Sequence, residues 1–129
     1  DTSHLAEQAF WEALDNFGGR VLATHNCCRA LCDHDRQIDD RQIAALAERG
    51  GVIGTAFDDW MLSPIWDIDA RDNTGITLET VANHMDHVCQ VTGNADHVAI
   101  GSDLDGGFGR ELSPVDYDTI VDLQKFLHI

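Results

Sequence analysis

The sequence predicts an α/β protein with a parallel sheet, because short apolar runs of strand length alternate along the chain with amphipathic helical segments. Strands are expected at 21–25, 51–57 and 97–103, and a fourth is expected to end at His4. Strands connected through helices run parallel, with right-handed crossovers. A doubly wound sheet and part of a (β/α)8 barrel both satisfy this pattern. A whole barrel takes about 250 residues, so this chain would supply about four of the eight repeats.

The first two helices are predicted from apolar spacing and from residues that start or stop helices. Apolar side chains recur at helical spacing over 5–17, and the glycines that follow end the segment. Asp39 is a suitable N-cap for the next helix because Gln42 stands three residues later, which is the pattern of a capping box. An apolar stripe follows and ends before Gly50.

The second half of the chain repeats this scheme with longer loops. The apolar run at 51–57 suits a strand covered on both faces, and it opens into a long polar loop over 58–76. Thr77 caps a helix that ends at Gly93, and Ser113-Pro114 begins a last helix. Polar residues stand at the predicted strand ends, the edge where parallel α/β proteins bind ligands: His4, His25, Asp58 and Asp103.

The charge balance excludes several classes of partner. Eight basic residues against 23 acidic ones give a formal net charge of −15, which repels nucleic acid and anionic membrane surfaces. No apolar stretch is long enough to cross a membrane, and no signal-peptide pattern opens the sequence. One domain over residues 1–129, or part of one, and a cytoplasmic location are therefore expected.

The four cysteines, at 27, 28, 32 and 89, do not follow the paired spacing of structural zinc sites. A chain of this size that is 43% apolar does not need disulfides to fold, so reduced and mostly buried thiols are expected. A contribution of Cys32 and His34 to a metal site stays open as a minor alternative.

His4 and His25 are the foremost candidates for chemistry. Each ends a strand-like run, and in a parallel sheet their imidazoles emerge on the same side. Two neutral imidazoles that converge can share a zinc or a similar divalent ion. On spacing alone, a pair of hydrogen-bonded structural histidines is an equal alternative.

Five segments follow one another in an order and spacing that carry a resemblance: DTSHL at 1–5, THNCCRA at 24–30 running to Arg36, ERGGVIG at 48–54, HMDH at 84–87 and GSDLDG at 101–106. Together they resemble the second half of the membrane (renal) dipeptidase family, the M19 zinc peptidases. The resemblance implies a distorted (β/α)8 barrel with a two-zinc site. It also implies hydrolysis of dipeptides, including some with a D-residue on the carboxyl side, and in some members of β-lactam or other amide substrates.

The resemblance also implies roles for four residues. His4 and His25 match the two histidines that bind the second zinc, and Arg36 matches the arginine that contacts the substrate carboxylate or the tetrahedral intermediate. Asp103 matches the aspartate near the substrate amine and the attacking water, a position suited to general acid/base catalysis. Without the resemblance, Arg36 would be interpreted as a solvated loop arginine and Asp103 as a turn residue.

Half of the family's metal site has no counterpart in this sequence. Members also use a His-x-Asp pair from the first strand and a bridging glutamate from the third. His84 and Asp86 repeat the His-x-Asp string, but they fall in a helix, where residues two apart point about 200° away from each other. His87 stands nearly opposite the apolar stripe of this helix, which runs from Leu78 to Cys89, and His84 stands on its flank, so both are expected on the helix surface.

Two interpretations of the whole chain follow. It is expected to be a fragment, because it starts at residues that end a strand and stops within its last helix. The first interpretation is a segment of a zinc dipeptidase that acts on dipeptides only when the missing N-terminal half-barrel is present and is inactive alone. The second is a non-catalytic metal-binding or self-associating half-barrel. Open sheet edges and an apolar face favour pairing, so a homo-oligomer is expected.

Overall fold

The sheet of the computed structural model, which describes residues 1–67, 69–70 and 72–129, contains three parallel strands in the order β1-β2-β3. β1 comprises Ala23–Asn26, β2 comprises Ile53–Ala56 and β3 comprises Val98–Ser102. All four residues of the central β2 are buried, as expected for a strand covered on both faces. The predicted α/β class with a parallel sheet is therefore confirmed.

The fourth strand predicted to end at His4 is not formed. Thr2 does bond to the chain beside it, donating its backbone N–H to Leu22 O over 2.8 Å. The next N–H groups do not continue a ladder, because the Asp1 carboxylate accepts from the N–H groups of Ser3 and Thr24, each over 3.1 Å. A side chain thus replaces the backbone pairing that a strand would need.

The described part of the chain places four α-helices around the sheet: α1 (Glu7–Asn16), α2 (Asp40–Glu48), α3 (Asp59–Leu62) and α4 (Leu78–Thr92). The predicted capping box of α2 is present, because Asp39 accepts from the N–H of Gln42 over 2.9 Å and Gln42 accepts from the N–H of Asp39 over 3.0 Å. α4 ends at Gly93, whose φ of 77° is the left-handed conformation that glycine allows. None of the described helices is long and apolar enough to cross a membrane.

The predicted long loop over 58–76 contains the short α3, and its residues 68 and 71 lie outside the described part of the chain. The last helix does not begin at Ser113-Pro114. Ser113 is extended, and residues 114–117 form a turn in which the N–H of Tyr117 bonds to Pro114 O over 2.9 Å. The N–H of Val115 bonds to Ile76 O over 2.8 Å, and the Asp116 carboxylate caps α4 by accepting from the N–H of Leu78 over 2.9 Å. Two 3-10 helices, Arg110–Leu112 and Ile120–His128, flank this segment.

The buried apolar side chains form two clusters. The first packs the sheet against α1, α2 and α4: Phe10, Val21, Ala23, Cys28, Ile38, Ile43, Leu46, Ile53 and Val88. The second lies beneath α3, the start of α4 and the C-terminal segment: Cys27, Ala56, Phe57, Met61, Leu62, Ile76, Leu78, Val81 and Tyr117. The four cysteines are free thiols, and three of them are buried, as expected.

Candidate active site

His4 and His25 come together at the carboxyl edge of the sheet. Their Nε2 atoms are 2.8 Å apart, and their ring centroids are 4.7 Å apart with the planes inclined by 59°. His25 belongs to β1 and is partly buried, whereas His4 lies in the turn after the segment beside β1 and is exposed. The expected convergence is present, while a role in metal binding stays a prediction.

The carboxylate of Asp1 holds the His4 segment against β1. Its Oδ1 accepts from Ser3 Oγ over 2.7 Å, in addition to the two backbone N–H groups described above. Its Oδ2 accepts from Thr24 Oγ1 over 2.5 Å. Ser3 Oγ also accepts from the backbone N–H of His25 over 3.1 Å. Sequence reasoning did not identify Asp1 and Thr24 as parts of the site. The only indication of their role in the sequence is that they stand beside His4 and His25 in the two histidine motifs.

The surroundings of His25 favour its neutral form. Burial is the main cause that lowers the pKa of His25 below its ordinary value; the charges of Arg36 and His4 add to the lowering, and Asp103 opposes it. A neutral imidazole is the form that binds a metal. The lowered pKa of His25 therefore favours the form of its imidazole that binds metals.

Arg36 is built into the site and is not a solvated loop residue. It is partly buried, and its Nη2 donates to the backbone oxygen of His25 over 3.0 Å. Its Nη1 is buried and meets no acceptor among the described residues. Burial lowers the pKa of Arg36, and the negative charge of Asp103 opposes this effect. A partly buried guanidinium with such an unpaired donor is suited to bind a carboxylate.

Asp103 follows β3 directly, in a strained turn. Ser102 and Asp103 have φ values of 40° and 62°, in the left-handed region that residues other than glycine seldom adopt. The turn closes with the N–H of Gly106 bonded to Asp103 O over 2.8 Å, and a Cβ at Gly106 would lie 2.8 Å from Asp103 Oδ1. The charge of Asp103 acts on His25, Arg36 and Asp58, so Asp103 lies within electrostatic range of all three.

Buried polar atoms without partners accumulate beside this site. Among the described residues, no donor reaches Asn26 Oδ1 at the end of β1, Asp58 Oδ1, or either carboxylate oxygen of Asp59. Burial raises the pKa of Asp58, with a contribution from Asp103. Burial, and secondly Asp58, raises the pKa of Asp59 to about 7. Sequence reasoning named Asp58 as a strand-end candidate and missed Asn26, the last residue of β1, and Asp59, the first residue of α3.

The histidine pair fits part of a zinc site. Zn–N bonds of about 2.0–2.1 Å in tetrahedral geometry separate two nitrogens by about 3.3 Å, so the pair would open by about 0.5 Å. Within the described ranges, no group of three or more His, Cys, Asp or Glu side chains is arranged to hold a metal ion. Two imidazoles supply half of a tetrahedral set, and the other ligands must come from elsewhere.

The prediction that His84 lies on the surface is wrong. His84 is 1% exposed, its Nδ1 accepts from the N–H of Cys28 over 3.0 Å, and its Nε2 donates to Leu62 O over 2.9 Å. It is buried because α4 packs against both the loop after β1 and α3. His87 is partly exposed, and its Nε2 lies 2.7 Å from Asp40 Oδ1.

Cys32 and His34, the minor metal alternative, both pack around Trp60. The Cys32 thiol is buried and donates to Trp60 O over 3.5 Å. The His34 ring packs edge-on against Trp60 at 5.0 Å between centroids, and its Nδ1 accepts from the N–H of Arg36 over 3.0 Å. Both side chains therefore take part in the packing around Trp60, and a metal role for them stays a prediction.

The fold and the site define a parallel α/β protein with paired imidazoles, a guanidinium and carboxylates gathered at the carboxyl edge of its sheet. The chain belongs to the membrane dipeptidase family, peptidase family M19, whose family model matches residues 1–126. The resemblance found in the sequence is thus confirmed.

Individual relatives agree with this family. A Klebsiella pneumoniae protein described as "Uncharacterized protein in pqqA 5'region" is 37% identical over 106 residues, which are 82% of this chain and 37% of that protein. Dipeptidase tcpJ of Claviceps purpurea is 33% identical over 106 residues, 82% of this chain and 23% of that protein. A crystal structure of a metallopeptidase from Rhodobacter sphaeroides, liganded with a phosphinate mimic of the dipeptide L-Ala-D-Ala, has a TM-score of 0.82 at 30% identity, covering 99% of this chain and 34% of that chain. The chain therefore spans only 23% to 37% of the length of these relatives.

Proposed function

We propose that this chain forms the second half of a (β/α)8 barrel in a zinc-dependent dipeptidase. The observation that carries the proposal is the convergence of His4 and His25, with 2.8 Å between their Nε2 atoms, at the sheet edge that also holds Arg36 and Asp103. Membership of the family supports it, as does the similarity to a metallopeptidase liganded with a dipeptide mimic.

Each residue of the site has a task in this reaction. His4 and His25 would hold the zinc ion, each through Nε2. When bound, the metal supplies Lewis acidity, which generates a nucleophile from water and stabilises the developing oxyanion. Arg36 binds the free carboxylate of the dipeptide, because its buried Nη1 lacks an acceptor among the described residues. Asp103 takes the proton of the attacking water and delivers it to the nitrogen of the leaving amine.

The sheet supports the proposal that this half-barrel pairs with another. β3 lies at one edge of the three-stranded sheet, its residues are only partly covered, and Ile100 is 43% exposed. An unpaired edge strand with an apolar side chain invites pairing. We propose that the remaining strands of the barrel cover it in the complete enzyme and that copies of the isolated chain associate. The same edge favours the second candidate, a self-associating metal-binding domain without turnover.

Zinc titration by calorimetry tests the metal site. The chain should bind Zn²⁺, His25→Ala should abolish that binding, and His128→Ala should leave it unchanged because His128 is exposed on the terminal 3-10 helix. Equal zinc affinity in the wild type and His25→Ala would sink the proposed site.

Hydrolysis of L-Ala-D-Ala then separates the two candidates. The chain alone should show no turnover, since half of the metal ligands are absent, and the polypeptide with a complete barrel should be active and lose its activity in His25→Ala. A complete barrel that binds zinc and hydrolyses no dipeptide would favour the non-catalytic candidate.

A further inference from the structure

The protons of the Asp1 network can be assigned to individual atoms. An ionised carboxylate only accepts hydrogen bonds, so the hydroxyl protons of Thr24 and Ser3 both go to Asp1, over 2.5 and 2.7 Å. A hydroxyl has one proton to donate. Thr24 Oγ1 can therefore only accept in its 2.8 Å contact with Nδ1 of His25.

This assignment fixes the tautomer of His25. Because Thr24 Oγ1 accepts, the His25 proton must sit on Nδ1, and Nε2 keeps its lone pair. That lone pair faces His4, whose Nε2–H donates to it over 2.8 Å. His4 is exposed, and among the described residues its ring bonds only to His25, so a change of tautomer at His4 breaks a single hydrogen bond.

We propose that Asp1 and Thr24 are positioning residues that preset His25 as a metal ligand. The Asp1 carboxylate orients the Thr24 hydroxyl, and the hydroxyl oxygen holds the proton of His25 on Nδ1, so that Nε2 points its lone pair at the metal position. Outer hydrogen bonds of this kind set the orientation and the basicity of ligating histidines. The inference about the metal rests on the proposed function, whereas the tautomer belongs to the metal-free chain.

The tautomer is tested by ¹⁵N NMR of the imidazole rings in the metal-free chain at pH 8. Wild-type His25 should carry its proton on Nδ1. Asp1→Asn should reverse this state, because the N–H groups of Ser3 and Thr24 hold the amide oxygen at the Oδ1 position and leave the amide NH₂ facing Thr24 Oγ1. The Thr24 hydroxyl would then donate to Nδ1, and the proton of His25 would move to Nε2.

Variants of Thr24 separate this role from packing. Thr24→Val keeps the shape and removes the hydroxyl, so His25 should show a mixture of tautomers, whereas Thr24→Ser should retain the wild-type state. Zn²⁺ affinity measured by calorimetry should fall by about 10- to 100-fold in Thr24→Val and Asp1→Asn, the range found for outer partners of metal ligands. Thr92→Val, which removes a distant hydroxyl in α4, should not change the Zn²⁺ affinity.

Three results would overturn the inference: a wild-type His25 protonated on Nε2, an Asp1→Asn chain that keeps the proton on Nδ1, or a folded Thr24→Val chain with wild-type tautomer and zinc affinity. Circular dichroism establishes that each variant is folded. A wild-type chain with the expected tautomer but no Zn²⁺ binding would contradict the proposed function and the ligand part of the inference, and would leave the tautomer assignment supported.

Discussion

Replacing Asp59 by asparagine is expected to change how the stability of the protein depends on pH. Asp59 begins α3 with 0% exposure, and neither of its carboxylate oxygens meets a donor among the described residues. Burial, and secondly the charge of Asp58, raises the pKa of Asp59 from 3.8 to about 7. Between these two values the unfolded chain is ionised at this position while the folded chain stays protonated, so the free energy of unfolding falls as pH rises.

The size of the effect follows from the two pKa values. A difference of one in pKa corresponds to about 1.4 kcal/mol, so a rise from 3.8 to about 7 sets an upper limit of about 4 kcal/mol. Local relaxation and water that reaches the carboxylate reduce such penalties, and we expect about 2 kcal/mol. The loss builds up from about pH 4 to about pH 7 and is constant above that range.

Urea unfolding of the wild type and Asp59→Asn between pH 4 and pH 8 measures this effect. The asparagine side chain does not titrate, so the variant should gain about 2 kcal/mol on the wild type as pH rises across the range. Asp96→Asn, at an exposed position before β3, serves as the control and should follow the wild type. A stability difference between Asp59→Asn and wild type that stays the same at every pH would refute the reasoning.

Four other changes have defined outcomes. His84→Ala should lower the free energy of unfolding in urea by about 2–4 kcal/mol, because it leaves a cavity and two unpaired backbone groups. Burial lowers the pKa of His84, so the free energy of unfolding of the wild type should also fall as pH drops below 6.5. Gly54→Ala should lower the free energy of unfolding by at least about 1–3 kcal/mol, because the new Cβ would lie 2.1 Å from a backbone oxygen of β1. Gly18→Ala, whose new Cβ would have nothing within 4 Å, should not lower the free energy of unfolding in this way. In the zinc-loaded complete enzyme, Arg36→Lys should reduce kcat/KM for dipeptides by about 10-fold or more, while amidated dipeptides, already poor substrates, should be little affected. Asp103→Asn should lower kcat by about 100-fold or more with zinc content unchanged; loss of zinc on metal analysis would make Asp103 a ligand instead.

The predictable part of the fold is the part that local rules determine. The capping box at Asp39 and the left-handed glycine at Gly93 involve only neighbours in sequence, and both are present. The pairing of β2 with both other strands follows from the alternation of strands and helices. The convergence of His4 and His25 was also predicted, but by way of a strand that does not form: hydrogen bonds from Thr2 to Leu22 and from Thr24 to Asp1 hold the His4 segment beside β1 instead.

The predictions that failed depend on contacts between segments far apart in sequence. Helical spacing placed His84 on the flank of α4, and only the packing of α3 and the loop after β1 on that flank buries it. Asp116 has the sequence pattern of a helix start, but its carboxylate caps α4, 38 residues earlier. A carboxylate that bonds to a distant segment leaves no pattern in the neighbouring sequence. For the same reason the sequence did not indicate the role of Asp1, which bonds to Thr24.

Strained backbone and buried polar atoms without hydrogen bonds occur at the carboxyl edge of the sheet, and this placement argues for function. Ser102 and Asp103 hold left-handed backbone conformations, each at a cost of about 1–3 kcal/mol, and they are the only residues other than glycine with positive φ in the described chain. Arg36 follows β1 and Asp59 follows β2 on the same side, and each has buried polar atoms that find no partner among the residues that the structure describes. Such features persist only where the surrounding structure enforces them, and natural sequences tolerate them mainly at functional sites. The edge that holds the histidine pair is therefore the one where the substrate carboxylate and the metal of the proposed function would pair with polar groups that have no partner within the described structure.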